Sequence, residues 1–311
     1  MTHAGGPATS AVFIVGVSRS GTTLMRRILQ GSDEVAICSE NHYMGHLIAS
    51  EGVRQQIRRR FGDDRDDPAV RRIVDFIYGA GLEGGTRLRG VSRQWRWTVR
   101  HVPKNAFLDR YLASDRSERA LFEIVLRTYA EHAGKRIMGE KTPAHVRYVD
   151  TLIEWFPDGR VIHMLRDPRA IYVSELRRRM SVATSLPYRL LRHSGPLLAG
   201  FVAVQTTVAW FESVNLFRRH RRRYPDRYLG VQFENLVESP ASEVDRISRF
   251  VGVRTQPEML DQVVVSQGHR LGETGFDADA AGRWRSELGP IVRAWFRLLL
   301  GAQMRRLGYG E

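Results

Sequence analysis

Near its beginning the chain reads Phe13-Ile14-Val15-Gly16-Val17-Ser18-Arg19-Ser20-Gly21-Thr22-Thr23-Leu24-Met25. This is the pattern of an apolar strand, a short turn with two glycines and the first turn of a helix. Backbone N–H groups at a helix N-terminus favour negative charge, so such a turn can cradle a phosphate group. An ordinary strand–helix turn would contain the same small residues, but a basic residue inside the turn favours an anion site. The candidate anion-binding residues are Ser18, Arg19, Ser20, Gly21, Thr22 and Thr23.

The rest of the chain alternates short β-like apolar runs with helical patterns. The β-like runs are Val12–Val17, Val35–Cys38, Arg136–Gly139, Val161–Leu165 and Tyr228–Phe233. The helical patterns are Thr22–Leu29, Glu118–His132, His145–Phe156, Arg169–Arg178, Val202–Arg223, Ser242–Val251 and Ile291–Leu307. This alternation predicts an α/β fold in which a mostly parallel central sheet is flanked by helices. Ligands of such sheets collect at the carboxyl ends of the strands, so residues that follow a strand are the functional candidates.

The length of 311 residues fits a single domain, which we expect to cover residues 11–308. We expect residues 1–10 to form a flexible N-terminus. Glycines interrupt the regular pattern within residues 61–103, which are interpreted as a helical or irregular insertion that could serve as a lid.

Composition limits the possible partners. There are 48 Lys+Arg against 34 Asp+Glu, a formal charge of +14, and lysine occurs only at Lys104, Lys135 and Lys141. A hydrophobic content of 42% excludes a disordered chain, and the single cysteine, Cys38, excludes a disulfide scaffold and a cysteine-rich metal site. A protein this basic binds an anion: nucleic acid, acidic lipid, or a phosphorylated or sulfated small molecule.

The sequence gives no sign of secretion or of a membrane span. Residues 1–10 contain no Lys or Arg and no long apolar core, unlike a signal peptide. The uncharged run Ser194–Phe211 contains Pro, Gln and Thr and leads into an arginine cluster. We interpret it as a buried helix of a globular domain, and we expect a soluble, cytoplasmic protein.

The turn differs from the nucleoside-triphosphate loop. That motif ends in Gly-Lys-Ser/Thr, with lysine on the terminal phosphates and the hydroxyl on magnesium. Here Ser20-Gly21-Thr22 stands in its place, and Arg19 precedes this stretch. A magnesium-dependent P-loop kinase is therefore only the second interpretation.

The run Gly16 to Met25 instead resembles the 5′-phosphosulfate loop of sulfotransferases that use 3′-phosphoadenosine 5′-phosphosulfate (PAPS). Its arginine form is similar to tyrosylprotein and Golgi carbohydrate sulfotransferases and to bacterial relatives, whereas cytosolic phenol and steroid sulfotransferases have lysine there. The resemblance implies a P-loop-like sulfotransferase fold, PAPS as the donor, adenosine 3′,5′-bisphosphate (PAP) as the product, and no required metal.

A second motif matches the 3′-phosphate of that donor. The run Arg160 to Ser174 predicts a strand that delivers Arg166, followed by a helix that carries Ser174 two turns along. In the family this arginine and this serine hold the 3′-phosphate, and the guanidinium fork suits a dianion. Arg169 or Arg178 could assist. Taken alone, Arg166-Asp167 would be a local ion pair.

The resemblance covers most of the chain. Gly139-Glu140-Lys141-Thr142-Pro143 is similar to the family segment before the 3′-phosphate motif, and the tail from Arg283 to Tyr309 resembles the tyrosylprotein sulfotransferase C-terminus. Val231 to Leu236 resembles a family strand end, but Phe233 stands where that family often has tyrosine.

Sulfuryl transfer, like phosphoryl transfer, needs a base for the acceptor hydroxyl and cations for the leaving oxygens. Glu40 is the candidate base because it follows the second strand and lies 21 residues after Arg19, a spacing similar to that in tyrosylprotein sulfotransferases. The alternatives are that Glu40 caps a helix, or that His42 or His145 is the base. The resemblance gives Arg19 and Lys141 the electrostatic roles.

The acceptor is the least determined part. Arg87 to Trp97 interleaves arginine with tryptophan, so Trp95 and Trp97, together with His42 and His145, are candidate acceptor residues; a surface hairpin fits the same pattern. Residues 179–200 are a variable segment that is expected to select the acceptor. A tyrosine, a sugar, a lipid or a natural-product phenol are all possible acceptors, but His42 replaces an arginine that tyrosylprotein enzymes use.

A nucleic-acid-binding protein is the third interpretation, disfavoured because the basic residues are spread along the chain. The oligomeric state is left open.

Overall fold

A computed structural model describes residues 10–45, 51–79, 93–181, 186–191, 193–261 and 275–310. Five strands form one sheet: β1 Ala11–Gly16, β2 Val35–Cys38, β3 Ile137–Lys141, β4 Arg160–Leu165 and β5 Tyr228–Gln232. Their order is β2-β3-β1-β4-β5 and every pairing is parallel. The carboxyl ends of all five strands therefore lie at one edge of the sheet.

Helices cover both faces of this sheet. Those before β3 are α1 Thr22–Gln30, α2 Val53–Phe61, α3 Asp67–Gly79, α4 Arg93–His101, α5 Lys104–Leu112 and α6 Glu118–His132. A 3-10 helix, Pro143–Tyr148, leads into α7 Val149–Trp155, and α8 Pro168–Ser181, α9 Leu186–Leu191 and α10 Gly195–Arg223 follow β4. After β5 come α11 Phe233–Glu238, α12 Pro240–Val251, α13 Pro257–Leu260, α14 Asp279–Gly282, α15 Trp284–Glu287 and α16 Pro290–Arg306.

The α/β class, the parallel sheet and all five strands predicted from the sequence are confirmed. The strand bounds differ by up to two residues. Phe233 begins α11 rather than ending β5, and the predicted helix His145–Phe156 starts as a 3-10 helix. Glu118–His132 matches its prediction because Ser117 caps it: its side chain accepts a hydrogen bond from the Ala120 N–H at 3.0 Å.

Alternate residues of β1 belong to different halves of the core. Phe13 and Val15 face a large cluster, while Val12 and Ile14 face a smaller one that includes Met25 of α1. This alternation explains why the strand reads as a continuous apolar run, since a parallel strand between two helical layers is buried on both faces. The central strand is thereby fixed, and with it the turn that follows Gly16.

Where the structure describes it, the insertion predicted over residues 61–103 contains α3 and α4, and residues 62–66 form an irregular connection between α2 and α3. Buried side chains of α3 and α4, such as Ile73, Ile77 and Trp95, belong to the large core cluster. Residues 80–92 lie outside the described part, as do residues 1–9. Whether the insertion acts as a lid stays a prediction.

The run Ser194–Phe211 is helical as predicted, but the expectation that it is buried was only half right. Within α10, one face carries the buried Val202, Thr206 and Trp210, whereas the other leaves Leu197 and Val208 60% or more exposed. Among the described residues, α10 is the one helix long and apolar enough to cross a membrane, with a window of mean hydropathy 1.4 that is 39% buried.

Candidate anion-binding site

The turn after β1 is shaped by its two glycines. Gly16 and Gly21 have φ angles of +146° and +95°, which L side chains rarely adopt. A Cβ on Gly16 would lie 2.6 Å from the Met164 carbonyl oxygen, and one on Gly21 would lie 2.5 Å from Cδ2 of Phe233. The close packing that only glycine permits therefore sets the path of the turn.

Ser20 braces the turn from inside. Its side chain is fully buried, and its Oγ donates a hydrogen bond to the Val17 carbonyl oxygen at 2.7 Å. Gly21 caps α1 without a side-chain hydrogen bond, and the first turn of α1 contains no acidic residue. The N–H groups at the start of α1 therefore have no side-chain cap at Gly21 and no carboxylate from the first turn, which is a helix start that favours an anion.

Arg19 sits at the tip of the turn in the left-handed region, with φ +73°. Such a backbone conformation costs energy for a residue with a side chain and is often found at functional sites. Its Nε donates to Ser174 Oγ of α8 at 3.0 Å. Burial is the main cause that lowers the pKa of Arg19. The turn after β1 and the helix after β4 are therefore joined by a hydrogen bond between Arg19 and Ser174, the residues that the family resemblance assigns to the 5′ and 3′ groups of one donor.

Arg166 makes the second link between the two motifs. Its Nη1 donates to the Arg19 carbonyl oxygen at 3.0 Å and its Nη2 to the Ala280 carbonyl oxygen at 2.8 Å. The guanidinium lies 4.0 Å from the centroid of the Phe233 ring. Its Nε is buried and has no hydrogen-bond partner among the residues that the structure describes, and burial lowers the pKa of Arg166 to about 10.

Arg19 and Arg166 both line a cavity of about 260 Å³. Within the described part of the chain, neither arginine forms an ion pair with a carboxylate, whereas Asp167, the neighbour of Arg166, pairs with Arg169 at 2.8 Å. Two cations that lack anionic partners and share one cavity are the electrostatic signature of an anion site. The remaining lining residues come from α1, α8, α11 and the segment Gly275–Glu287.

The structure places most of the predicted anion-binding residues around this cavity, which is lined by Arg19, Gly21, Thr22, Thr23, Arg166 and Ser174. Ser20 lies behind the turn, and neither Ser18 nor Arg178 lines the cavity. Arg177 lines it instead. The Arg178 side chain is 40% exposed and lies 3.9 Å from the Glu175 carboxylate.

The sequence reasoning missed the wall that the C-terminal segment supplies. Phe276, Asp277, Arg283, Trp284 and Glu287 all line the cavity. Asp277 pairs with Arg283 at 2.8 Å, and Glu287 accepts from Arg177 at 2.6 Å, so this wall is clamped to α8. A signal was present, since the tail from Arg283 resembles a sulfotransferase C-terminus, but nothing in the sequence indicated which cavity it would close.

Glu40, the predicted base, follows β2 and meets Lys141 at the end of β3. Lys141 Nζ donates to Glu40 Oε1, and His42 Nε2 lies 3.3 Å from Glu40 Oε2. Burial by itself raises the pKa of Glu40, but the hydrogen bond from His42 and the charge of Lys141 outweigh it and hold the pKa at about 2. The carboxylate is therefore ionised at neutral pH.

The Glu40–Lys141 pair and the cavity occupy neighbouring parts of the same sheet edge. Lys141 is the register partner of Ile14 in β1, while Gly16 of β1 pairs with Met164 of β4. Neither Glu40 nor Lys141 lines the cavity itself. The structure thus puts a carboxylate and an ammonium group on the β2–β3 side and the two arginines on the β1–β4 side.

Behind Lys141 lies a fully buried polar group made of Glu140, Thr142 and His145. Glu140 accepts from the Thr142 hydroxyl and contacts His145 Nδ1, while His145 Nε2 accepts the Met44 N–H at 3.3 Å. His145 is 0% exposed. The expectation that His145 is a base or an acceptor residue is therefore corrected, because both of its ring nitrogens are occupied by contacts inside the fold.

The two tryptophans named as acceptor candidates lie away from the cavity wall. Trp95 is 1% exposed, donates through Nε1 to the Asn41 carbonyl oxygen at 2.9 Å and packs against Tyr43. It is a core residue, and the expectation that it lines an acceptor site is corrected. Trp97 is partly buried and stacks on His101, with Tyr129 at its edge. Residues 80–92, the rest of that arginine-rich stretch, lie outside the described residues.

Comparison with a family model matches residues 11–257, and the description of that model is "Sulfotransferase family". The match contains both the turn after β1 and the Arg166 motif.

Curated relatives show weaker similarity along the chain. The nodulation protein NoeE of Sinorhizobium fredii is 26% identical over 98% of this chain and 67% of its own length. The omega-hydroxy-beta-dihydromenaquinone-9 sulfotransferase Stf3 of Mycobacterium bovis is 25% identical over 79% of this chain and 63% of its own length. The chain thus spans about two thirds of the length of these relatives.

Solved structures share the fold. The sulfotransferase domain of the Synechococcus PCC 7002 olefin synthase superposes with a TM-score of 0.55 at 21% identity, covering 92% of this chain and 91% of that domain. The sulfotransferase domain from the curacin biosynthetic pathway gives a TM-score of 0.53 at 17% identity, covering 92% and 93%.

Proposed function

The chain belongs to the sulfotransferase family, and we propose on this basis that it moves the sulfuryl group of PAPS onto an acceptor hydroxyl. The observation that carries the donor assignment is the pair Arg19 and Arg166, which line one cavity and, as far as the chain is described, form no ion pair with a carboxylate. They come from two strand ends 147 residues apart and are joined by one hydrogen bond. A ligand with an anionic group at each end, such as PAPS, matches this arrangement.

The residues present fit such a donor. The helix start at Thr22 and Thr23 and the turn around Gly21 would bind the 5′-phosphosulfate. Glycine is required at position 21, because a Cβ there would clash with Phe233. Arg166, with its unpartnered Nε, and Ser174 would take the 3′-phosphate. When bound, PAPS supplies an activated sulfuryl group with PAP as the leaving group. The site needs no metal in this proposal, because fixed cations can neutralise a sulfuryl group.

Glu40 is proposed as the general base. Its pKa of about 2 makes it a weak base while Lys141 and His42 hold it, and general bases work best with pKa values near the operating pH. We infer that Lys141 leaves Glu40 during the reaction and turns to the oxygen that bridges sulfur and the 5′-phosphate. That movement would raise the pKa of Glu40 when an acceptor proton has to be taken and place positive charge where the leaving group needs it.

Arg19 is proposed to neutralise the sulfuryl oxygens from the other side. Its Nε is held by Ser174, so the guanidinium is oriented before a ligand arrives. Removing one donor of this type typically costs about 10²–10³ in rate. We therefore expect Arg19→Ala and Lys141→Ala each to lose turnover at saturating donor while the fold is kept.

The acceptor is proposed to be a hydroxyl of a small molecule or conjugate: a phenol, a sugar, a lipid or a natural product. One relative is named for an omega-hydroxy menaquinone, a lipid alcohol, which supports the lipid option. We propose a cytoplasmic location, where the donor would be available to the enzyme.

Calorimetry with PAP against ATP plus magnesium tests the donor assignment. We expect PAP to bind and to raise the unfolding temperature without metal, and Arg19→Ala to weaken that response. Magnesium-dependent ATP binding with no affinity for PAP would instead identify a P-loop kinase. Salt-sensitive RNA or DNA binding that is unchanged in Arg19→Ala, without any response to PAP, would identify a nucleic-acid-binding protein.

A further inference from the structure

An apolar surface formed by α10 and α16 has no part in the proposed donor site. We call it the α10–α16 surface; it consists of Leu197, Phe201, Val204, Val208, Phe211, Ile291, Trp295, Leu298 and Leu299. These side chains are between 38% (Trp295) and 85% (Ile291) exposed. A contiguous apolar patch of this kind is rare on a soluble protein and usually marks a binding surface.

The α10 part of this surface is one continuous stripe. Its five members recur at intervals of four, three, four and three residues, so they share one face of the helix. Trp295 of α16 donates through Nε1 to Thr207 Oγ1 at 2.9 Å, which holds the two helices side by side. The stripe and the exposed side chains of α16 therefore form a single surface.

The other face of α10 prevents this helix from leaving the fold to cross a bilayer. Trp210 is 1% exposed and its Nε1 donates to the Arg166 carbonyl oxygen at 2.9 Å. Val214 and Phe217 continue the same buried face. A helix with one face packed in a protein core and the other apolar and exposed can lie flat at a membrane interface.

The charged side chains of α16 all have one sign. Helix α16 contains four arginines, Arg293, Arg297, Arg305 and Arg306, all exposed, and no acidic residue. The one acidic residue of α10, Glu212, pairs with Arg147 at 2.6 Å. Apolar side chains bordered by arginine match the acyl boundary and the phosphate groups of an anionic bilayer.

We propose that the α10–α16 surface docks this protein onto a bilayer that contains anionic phospholipid. Charge decides between the two obvious occupants. Arg305 and Arg306 lie seven residues after Leu298 and Leu299 and continue the exposed face of α16, so an anionic lipid surface neutralises them, whereas a second copy brings more arginine of the same sign to this surface. The docking does not depend on the sulfuryl chemistry.

Docking in this orientation sets the cavity beside the membrane. Helix α8 packs against both α10 and α16 and carries Ser174 and Arg177 in the cavity wall. Glu287, which pairs with Arg177, lies three residues before α16 begins. A membrane-bound molecule would therefore meet the protein near its anion site.

Vesicle flotation tests the proposal, using phosphatidylcholine vesicles with and without phosphatidylglycerol. The variant Val208→Glu with Leu298→Glu puts one carboxylate on each helix at sites that are 60% and 84% exposed, where the fold tolerates it. The control is Arg71→Gln with Arg72→Gln on α3, two exposed positions on a helix that packs against α2, α4 and α5. Both pairs lower the net charge by the same amount, so they differ in place and not in charge.

We expect the unmodified protein and the control to float with the phosphatidylglycerol vesicles, and the α10–α16 variant to bind at least about tenfold more weakly, because two aliphatic side chains no longer enter the bilayer. Acyl-brominated lipids should quench the tryptophan fluorescence of the unmodified protein more than that of the Trp295→Phe variant. The proposal is overturned by unmodified protein that does not float, by equal binding without phosphatidylglycerol, or by equal binding of the variant. A dimer in vesicle-free solution that the variant abolishes would assign the surface to a second copy.

Discussion

Replacing Arg166 by methionine separates the effect of this residue on the stability of the fold from its effect on the affinity for the donor. The fall in its pKa from 12.5 to about 10 corresponds to about 3 kcal/mol of penalty on the charged guanidinium. At neutral pH the group is charged in the folded and unfolded states, so this penalty applies in full. Against it stand two hydrogen bonds to carbonyl oxygens, at about 1 kcal/mol each, and the contact with Phe233, at about 1 kcal/mol.

These opposing contributions nearly cancel, so we expect the free energy of unfolding of the ligand-free Arg166→Met protein to lie within about 2 kcal/mol of that of the unmodified protein. Binding of PAP should suffer far more, because a charge-assisted contact to phosphate contributes about 1.5–3 kcal/mol, roughly a 10- to 150-fold change in affinity. Denaturant unfolding without ligand and calorimetry with PAP measure the two effects separately.

Arg169 is the matched control, since it lies three residues away and is also buried. It forms a bidentate pair with Asp167, and both side chains are less than 10% exposed. Arg169→Met leaves Asp167 as an unpaired buried charge and should cost about 3–5 kcal/mol of stability. If Arg166→Met instead destabilises the free protein as much as Arg169→Met and leaves the PAP affinity unchanged, Arg166 is a structural residue and the donor assignment fails.

Three further variants test the turn and the proposed base. Gly21→Ala forces a side chain into a backbone with φ +95° and against Phe233; we expect a loss of about 1–2 kcal/mol from the backbone alone, and Phe233→Leu in the same chain should restore only the part due to the clash, as thermal unfolding will show. Ser20→Ala removes the buried hydrogen bond to Val17 and should cost about 1 kcal/mol in denaturant unfolding. Because the folded pKa of Glu40 is lowered from 4.5 to about 2, its ionised form stabilises the fold above about pH 4.5, and this stabilisation is lost as pH falls toward 2. With 40% of the side chain exposed, solvent screening limits the effect to about 1 kcal/mol. Glu40→Gln should therefore weaken the protein at pH 7 more than at pH 2.5, and an equal loss at both would contradict the assigned pKa.

The sequence predicted the frame of the molecule well because that frame depends on local patterns. Continuous apolar runs such as Val35–Cys38 are typical of strands buried on both faces, and all five were found. The turn at Gly16–Gly21 was also readable, since only glycine tolerates its backbone angles and contacts. The family resemblance of these residues is confirmed by the match to the family model.

Side-chain roles outside the motifs were harder to predict, because burial is decided by residues far away in the chain. His145 and Trp95 carry chemistry that suits an acceptor site, yet contacts to Met44 and Asn41 enclose them in the core. Arg178 was the residue predicted from the sequence, but Arg177 lines the cavity, where Glu287 of the C-terminal segment holds it.

By itself the sequence determined the sheet, the phosphate-type turn and the positions of Arg19 and Arg166, since each follows from a short pattern of apolar, glycine and basic residues. Only the tertiary structure decided that these two arginines share a cavity and, within the described residues, form no ion pair with a carboxylate. It also decided that His42 and Lys141 lower the pKa of Glu40. It also revealed that one face of α10 stays exposed. The physical reason is that charge pairing and burial depend on which strand ends and helices come together across more than a hundred residues. A local sequence pattern contains no information about these distant contacts.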